Sequence, residues 1–461
     1  MVNTHAVDCH SKGRNAIDRP FGAGYHLCQF RPDSPLPLIL ESPAGGIFVR
    51  ALVYSALLLL AFQANSIAQT YSILHGFSGY PSSDGIYPLG SLLHDGAGNL
   101  YGMTYSGGNF YYGTVYKLDA SGNESILYNF TGGTDGAWPS AGLVQDWQHN
   151  LYGTTSAGGQ AGCGASRSGC GVVFKLSPSG KFTVLYTFTG GADGAAPKAA
   201  LVREATGNLY GTTSQAGTAG CGSGGCGTVF KLATNGTLTV LHSFSGSTDG
   251  GVPLAGLLRD GAGNLYGTAS VGGSLSTSHC MSLSGCGTVF EVSATGKFSV
   301  LYSFLGYPSD GDAPTAGLLR DSQGNLYGSA GDGANGAGMI FKLDSTGHET
   351  VLHNFAAYPW PEGEGPSGLV RDSKGNFYGT AAAGGIGGFN SYCPGVGCGT
   401  VFKLDTLGNL TVLANLGTVE APGSDPQSGV ILDHQGNLYG TGVGTTCKTY
   451  GDCGEVFKIV P

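Results

Sequence analysis

Gly142-Leu143-Val144-Gln145-Asp146, a turn, Asn150-Leu151-Tyr152-Gly153-Thr154-Thr155, a glycine-rich loop, Gly171-Val172-Val173-Phe174-Lys175-Leu176, a second turn, then Phe182-Thr183-Val184-Leu185-Tyr186-Thr187-Phe188: this stretch decides the fold. It reads as four short strands, A to D, rich in β-branched and aromatic residues and bounded by turn chemistry. The B-strand phrase recurs seven times, with its tyrosine at Tyr101, Tyr152, Tyr210, Tyr266, Tyr327, Tyr378 and Tyr439. Spacings of 51, 58, 56, 61, 51 and 61 residues mark loops of variable length on a constant frame.

Four antiparallel strands per repeat at this period predict a β-propeller blade. No segment after residue 70 has helical periodicity, and the coils of a parallel β-helix use far fewer residues than these repeats. The ends of the chain predict how the ring closes. A lone D-type strand, Tyr71-Ser72-Ile73-Leu74-His75-Gly76-Phe77, precedes the first repeat, and the last repeat stops after its C strand, Gly454-Glu455-Val456-Phe457-Lys458-Ile459. The expected fold is therefore all-β: a seven-bladed β-propeller of four-stranded antiparallel blades over residues 71–461. Its last blade takes three strands from the C-terminus and one from the N-terminus, which removes two free sheet edges.

Composition agrees. Blades that bury both faces leave few places for charge, and only 11% of residues are charged. The 84 glycines recur at fixed places in the repeats, such as Gly207 and Gly211 around Asn208-Leu209-Tyr210, where hairpins need positive φ and strands approach closely. The net charge of −9 becomes −10 without residues 1–68, which carry five Lys or Arg and four Asp or Glu; such a surface makes nucleic acid an unexpected partner.

The first seventy residues differ in kind. Arg50, an apolar run from Ala51 to Phe62 and the small-residue pattern Ser66-Ile67-Ala68 predict a signal peptide over 50–68, cleaved after Ala68. The run is too short to span a bilayer as an anchor. Residues 1–49 form a polar leader without repeat character, as expected if translation starts further downstream. A secreted, periplasmic or cell-surface monomer is the expectation.

Ten of the twelve cysteines follow the leader as close pairs in the B-to-C loops: Cys163 with Cys170, Cys221 with Cys226, Cys280 with Cys286, Cys393 with Cys398, and Cys447 with Cys453. Local disulfides are the simplest pairing, each contributing about 2 kcal/mol through loop closure. Zinc is the alternative, but two sulfurs per loop on separate blades do not supply four ligands. Neither a metal nor a cofactor is expected.

The B-to-C and D-to-A connections leave the ring on one face, the A-to-B and C-to-D hairpins on the other. Asp84, Asp135, Asp193, Asp249 and Asp310, each before Gly, repeat in the D-to-A loops, with Glu362 and Asp425 in the last two repeats. They read as turn residues, since Asp bonds nearby amides and Gly takes positive φ; a cation-binding ring is the sharper alternative. Asp95, Asp146, Glu204, Asp260, Asp321, Asp372 and Asp433 close the A-to-B hairpins. Beside them Arg203, Arg259, Arg320 and Arg371 share one inner-strand position, where they either pair with those carboxylates or form a positive arc suited to a carboxylate or sulfated sugar.

Residues that break the repeat are the better ligand-binding candidates. Tyr87, Tyr112, Trp138, Tyr307, Trp360, Phe389 and Tyr392 fall in connections on the cysteine-bearing face, where rings either stack on sugars and anchor partners or pack their own loops. His75, His242 and His353 alternate with Tyr128, Tyr186 and Tyr302 at one D-strand position and read as a packing slot. No catalytic residue is assigned: neither a Gly-x-Ser-x-Gly elbow, nor a His-Glu-x-x-His, nor a Walker loop occurs.

The stretches Asn208-Leu209-Tyr210-Gly211-Thr212-Thr213, Gly227-Thr228-Val229-Phe230-Lys231-Leu232 and Thr239-Val240-Leu241-His242-Ser243-Phe244 together resemble the GloVer tandem repeat of exported bacterial proteins. The resemblance covers residues 71–461 and implies a surface or secreted protein; it carries over no activity and no functional residue. Two classes follow. One is an exported binding module or scaffold for a glycan, peptide or surface polymer; the other is a secreted carbohydrate-active hydrolase or lyase, which needs acid and base groups converging in one sector.

Overall fold

The computed structural model describes residues 69–78, 83–159, 163, 169–217, 220–221, 224–275, 277, 280, 284–386, 397–418, 423–444 and 453–460. The expected signal peptide and leader lie outside them. The chain divides by contact into Met1–Ser66 and Ile67–Pro461, and the second unit holds seven four-stranded antiparallel sheets. The first blade consists of Leu93–His94, Leu100–Thr104, Thr114–Leu118 and Glu124–Asn129. In the last, Thr70–Gly76 pairs with Glu455–Val460 ahead of Leu438–Gly442 and Ile431–Leu432, so the chain closes three strands against one. Most A strands are two residues long, shorter than the sequence pattern. The preceding residues leave the sheet to bridge the B-to-C loop, as Ala137 does with Ala157.

Local chemistry explains why the B-strand phrase recurs. Asp146 Oδ1 accepts from the amides of Gln148 and Asn150, both at 2.9 Å, while Oδ2 accepts from Asn150 Nδ2 at 2.8 Å and the Tyr152 hydroxyl at 2.9 Å. One carboxylate thus satisfies four donors and locks the hairpin. The glycine after the tyrosine has a separate task. A Cβ on Gly211 would stand 2.7 Å from the Phe230 ring and 2.9 Å from Leu201, so only glycine lets the C-strand phenylalanine lie across the B strand.

Among the described residues seven buried clusters make the core, each spanning two consecutive blades, and the one at the ring closure joins Phe77 and Val456 to Leu92, Leu100 and Tyr116. The phenylalanine ending a D strand meets the C-strand ring of the next blade edge-on: Phe130 on Phe174 at 5.4 Å, Phe188 on Phe230 at 5.3 Å, and Phe77 on Tyr116 at 5.2 Å across the seam. A ring of such contacts has no unpacked end.

The closing sheet carries one buried acid. Glu455, fully buried, occupies a register where other blades place Thr228, Thr288 or Thr400, and it accepts a hydrogen bond from the Tyr71 hydroxyl. Burial pushes its carboxyl up to about 7, against the pull of that hydrogen bond. A carboxyl raised in the fold stabilises it fully below the unfolded pKa, and the contribution is lost as pH rises through about 7. Glu455→Gln is therefore expected to lose less melting temperature between pH 5 and pH 8 than the parent. An equal loss in both proteins would count against this assignment.

Candidate functional site

On one face the loops are clamped by a repeated backbone contact. The residues before the loop prolines, Tyr87, Trp138, Ala196, Val252 and Ala313, have φ of 59°, 56°, 53°, 52° and 39°, and Asp425 has 48°. In the remaining loop Gly365 takes the position, at φ 67°. Each donates its amide to the carbonyl that ends the preceding blade's B-to-C loop: Trp138 to Tyr112 at 3.0 Å, Ala196 to Cys170 at 3.0 Å, Tyr87 to Cys453 at 2.9 Å. The carbonyls of Tyr87 and Trp138 accept from Tyr105 and Ser156. Six side chains, with a glycine at the seventh position, are thus held in a conformation that disfavours bulk, and an over-determined backbone of this kind is where binding residues collect.

Two neighbouring positions of this ring are aromatic. Trp138 stacks on Tyr105 at 6.1 Å and lies 6.4 Å from Tyr112, and Tyr105 is bonded through its amide to Tyr87. Phe110 and Tyr111, 50% and 55% exposed, extend the patch. The structure therefore joins Tyr87, Tyr112 and Trp138 and adds Tyr105, Phe110 and Tyr111, which the sequence reading did not single out. The run Asn109-Phe110-Tyr111-Tyr112, in a B-to-C loop without cysteines, was the available signal. Tyr307 and Trp360 stand on the connections after the fourth and fifth blades, where Trp360 pairs with Tyr358 at 5.2 Å and packs into the fifth interblade core. Phe389 and Tyr392 lie outside the described residues.

Disulfides back these loops. Cys163–Cys170, Cys221–Cys226 and Cys280–Cys286 are bonded, with Cα atoms 5.2, 5.0 and 4.9 Å apart. Cys398 and Cys453 are bonded as well; Cys393 and Cys447, the partners expected for them, lie outside the described residues. Gly190 and Gly246 turn the D-to-A loops directly against the sulfurs. The Asp-Gly carboxylates close the same loops: Asp135 accepts from the Thr131 amide at 2.8 Å and the Tyr128 hydroxyl at 3.0 Å, and Asp193 repeats both contacts with Thr189 and Tyr186.

The arginines sit on the hairpin face. Arg203, Arg259, Arg320 and Arg371 lay their guanidinium groups over Tyr152, Tyr210, Tyr266 and Tyr327 of the preceding blade at 5.6, 5.8, 5.7 and 5.3 Å. Such cation–π contacts staple neighbouring blades. Arg259 also pairs with Glu204 at 3.1 Å. A cavity of about 930 Å³ opens on this face, lined by Arg371, Lys374, His434, Asp372 and Asp433. Both of those carboxylates are engaged in hairpin locks.

Seven four-stranded blades closed three against one define a β-propeller with one face of clamped, partly aromatic loops. The Gloeobacter/Verrucomicrobia repeat family matches residues 60–281, 164–330 and 275–461, and the chain belongs to that family. No curated protein matches it significantly. Among solved structures, virginiamycin B lyase from Staphylococcus aureus is similar at a TM-score of 0.53 and 9% identity, covering 85% of this chain and 99% of that one. The extracellular domain of the hybrid two-component system BT4673 from B. thetaiotaomicron reaches 0.51 at 11% identity, covering 84% of this chain and 39% of that one. At such identities the likeness is one of fold.

Proposed function

We propose that this propeller is an exported binding module that holds a glycan on its aromatic loop face. The carrying observation is the pair Tyr87 and Trp138, two bulky rings at adjacent positions of a backbone ring that elsewhere holds Ala, Val, Gly or Asp. Symmetry alone does not ask for aromatics there. With Tyr105 and Tyr112 they make a rigid, half-exposed ring surface of the kind on which sugar faces stack. The apolar run before Ala68 and the bonded cysteine pairs support export, because disulfides persist in oxidising compartments.

Glycan-array screening of the exported chain is expected to return a defined set of sugars. Tyr87→Ala and Trp138→Ala are each expected to weaken binding by about 10-fold or more. Alanine already occupies the equivalent backbone position at Ala196 and Ala313, so both variants should keep the parent's melting temperature within a few degrees. Undiminished binding by the double variant overturns the assignment. Release of shortened sugar from a bound polysaccharide would replace it with the hydrolase or lyase reading.

A further inference from the structure

At five blades the D-strand residue in one register bonds directly to the acid of the following loop. Tyr128, Tyr186 and Tyr302 donate to Asp135, Asp193 and Asp310 at 3.0, 3.0 and 2.6 Å. His242 Nε2 is 3.1 Å from Asp249, and His353 Nε2 is 3.0 Å from Glu362. The first residue of the next D strand lies over this pair: Phe182 stacks on Tyr128 at 4.0 Å and Phe298 on His242 at 3.6 Å. At the seam between the seventh and first blades the same slot is built differently. His75 stands 4.0 Å from Asp84, and the covering residue is Glu124, 3.6 Å from His75 Nε2.

The geometry points to a site for one divalent cation of the zinc class, held by His75 Nε2, Asp84 and Glu124. All three donor atoms lie within 4.8 Å of one another. His75 Nε2 and Glu124 Oε1 are buried atoms that lack a hydrogen-bond partner among the described residues, and Glu124 is only 12% exposed. The Glu124 oxygen beside His75 Nε2 is Oε2, so an unpartnered imidazole nitrogen lies next to a carboxylate whose other oxygen is also unpartnered, a costly arrangement unless something compensates it. Zinc binds imidazole nitrogen and carboxylate oxygen at about 2.0–2.2 Å, which sets donors roughly 3.3 Å apart; here His75 Nε2 is 3.6 Å from Glu124 and 4.0 Å from Asp84, so the donors must draw together around the ion. One nitrogen and two carboxylates suit zinc better than calcium, which takes six to eight oxygens. Three protein ligands leave the fourth position to water.

His75 belongs to the N-terminal strand of the seventh blade, Asp84 to the loop leading into the first, and Glu124 to the first blade's outer strand. A bound ion therefore ties the seam and stabilises the closed ring by mass action.

Calorimetric titration of the chelator-treated full chain with zinc chloride is expected to show one saturable site, with a higher melting temperature in zinc. His75→Gln and Glu124→Gln should each weaken binding on the order of 100-fold, whereas His242→Gln and Glu349→Gln should leave it unchanged. Glu124→Gln keeps the shape of the slot, so it decides the matter if His75→Gln does not fold. Absence of saturable binding, zinc binding that survives both seam substitutions, or a preference for calcium overturns the site. None of these outcomes depends on whether the aromatic face binds sugar.

Discussion

Removal of residues 70–77 is expected to abolish cooperative unfolding and to leave a protein that aggregates, because it opens the ring at its composite blade. Thr70–Gly76 pairs with Glu455–Val460 along its length, with Tyr71 opposite Ile459 and Ile73 opposite Phe457. Without it the outer edge of Glu455–Val460 offers unpaired amides and carbonyls to any other chain. The seam core also loses Phe77, 1% exposed, and Leu74, while Phe457 loses the Tyr71 ring stacked on it at 5.3 Å. Phe77→Ala alone should cost about 3–5 kcal/mol, the range for emptying a buried phenylalanine site. Calorimetry with light scattering reads both variants, and addition of a peptide spanning residues 69–78 should restore the melting transition of the truncated chain. A truncated protein that melts like its parent would falsify the latch.

Acid is expected to unfold this protein steeply, through the seven hairpin locks acting together. For Asp146, burial alone would raise the carboxyl, but hydrogen bonds from Asn150, Tyr152 and the Gln148 amide outweigh it and hold the group below its ordinary range. Asp95, Asp260, Asp321, Asp372 and Asp433 follow the same pattern, and in Glu204 the hydrogen bond from Thr206 is the largest influence. A carboxyl lowered in the fold binds fewer protons than in the unfolded chain. Its stabilisation is complete above the unfolded pKa, ~4, and disappears as pH falls through the folded value. Asp146→Ala strands four donors in a hairpin 8% exposed at the aspartate, and should cost on the order of 3 kcal/mol at pH 7. The same change at Asp119, in an exposed C-to-D hairpin, should cost less. Urea unfolding at pH 7, 4 and 3 measures both effects; a flat profile in the parent, or equal costs at the two sites, removes the locks from the account.

An acidic residue, asparagine and tyrosine meet within seven residues of chain in each lock, with glycine before the asparagine in all but the second, so the strands, the hairpins and the number of blades were readable from local chemistry. The closing strand was readable too, since a D strand without its own repeat has one vacant partner. Site residues were legible only in part. Tyr87 and Trp138 stood out as departures from the repeat, but their shared left-handed backbone arises from hydrogen bonds to the preceding blade, which no neighbouring residue in the chain announces. The arginines illustrate the same limit. Carboxylate pairing, one of the two available readings, holds for Arg259 with Glu204, but the contact shared by all four, a guanidinium resting on a tyrosine of the blade before, was not legible.

Sequence by itself therefore determined the repeating unit, its count and its closure, because hydrogen bonds over a few residues and a period-two pattern specify a blade. Tertiary structure alone decided which side chains face one another across blade boundaries: Tyr105 with Trp138, and His75 with Asp84 and Glu124. Those meetings depend on how wedges rotate against each other in a closed ring, and a geometry set by packing all seven interfaces at once leaves no signature in any single repeat.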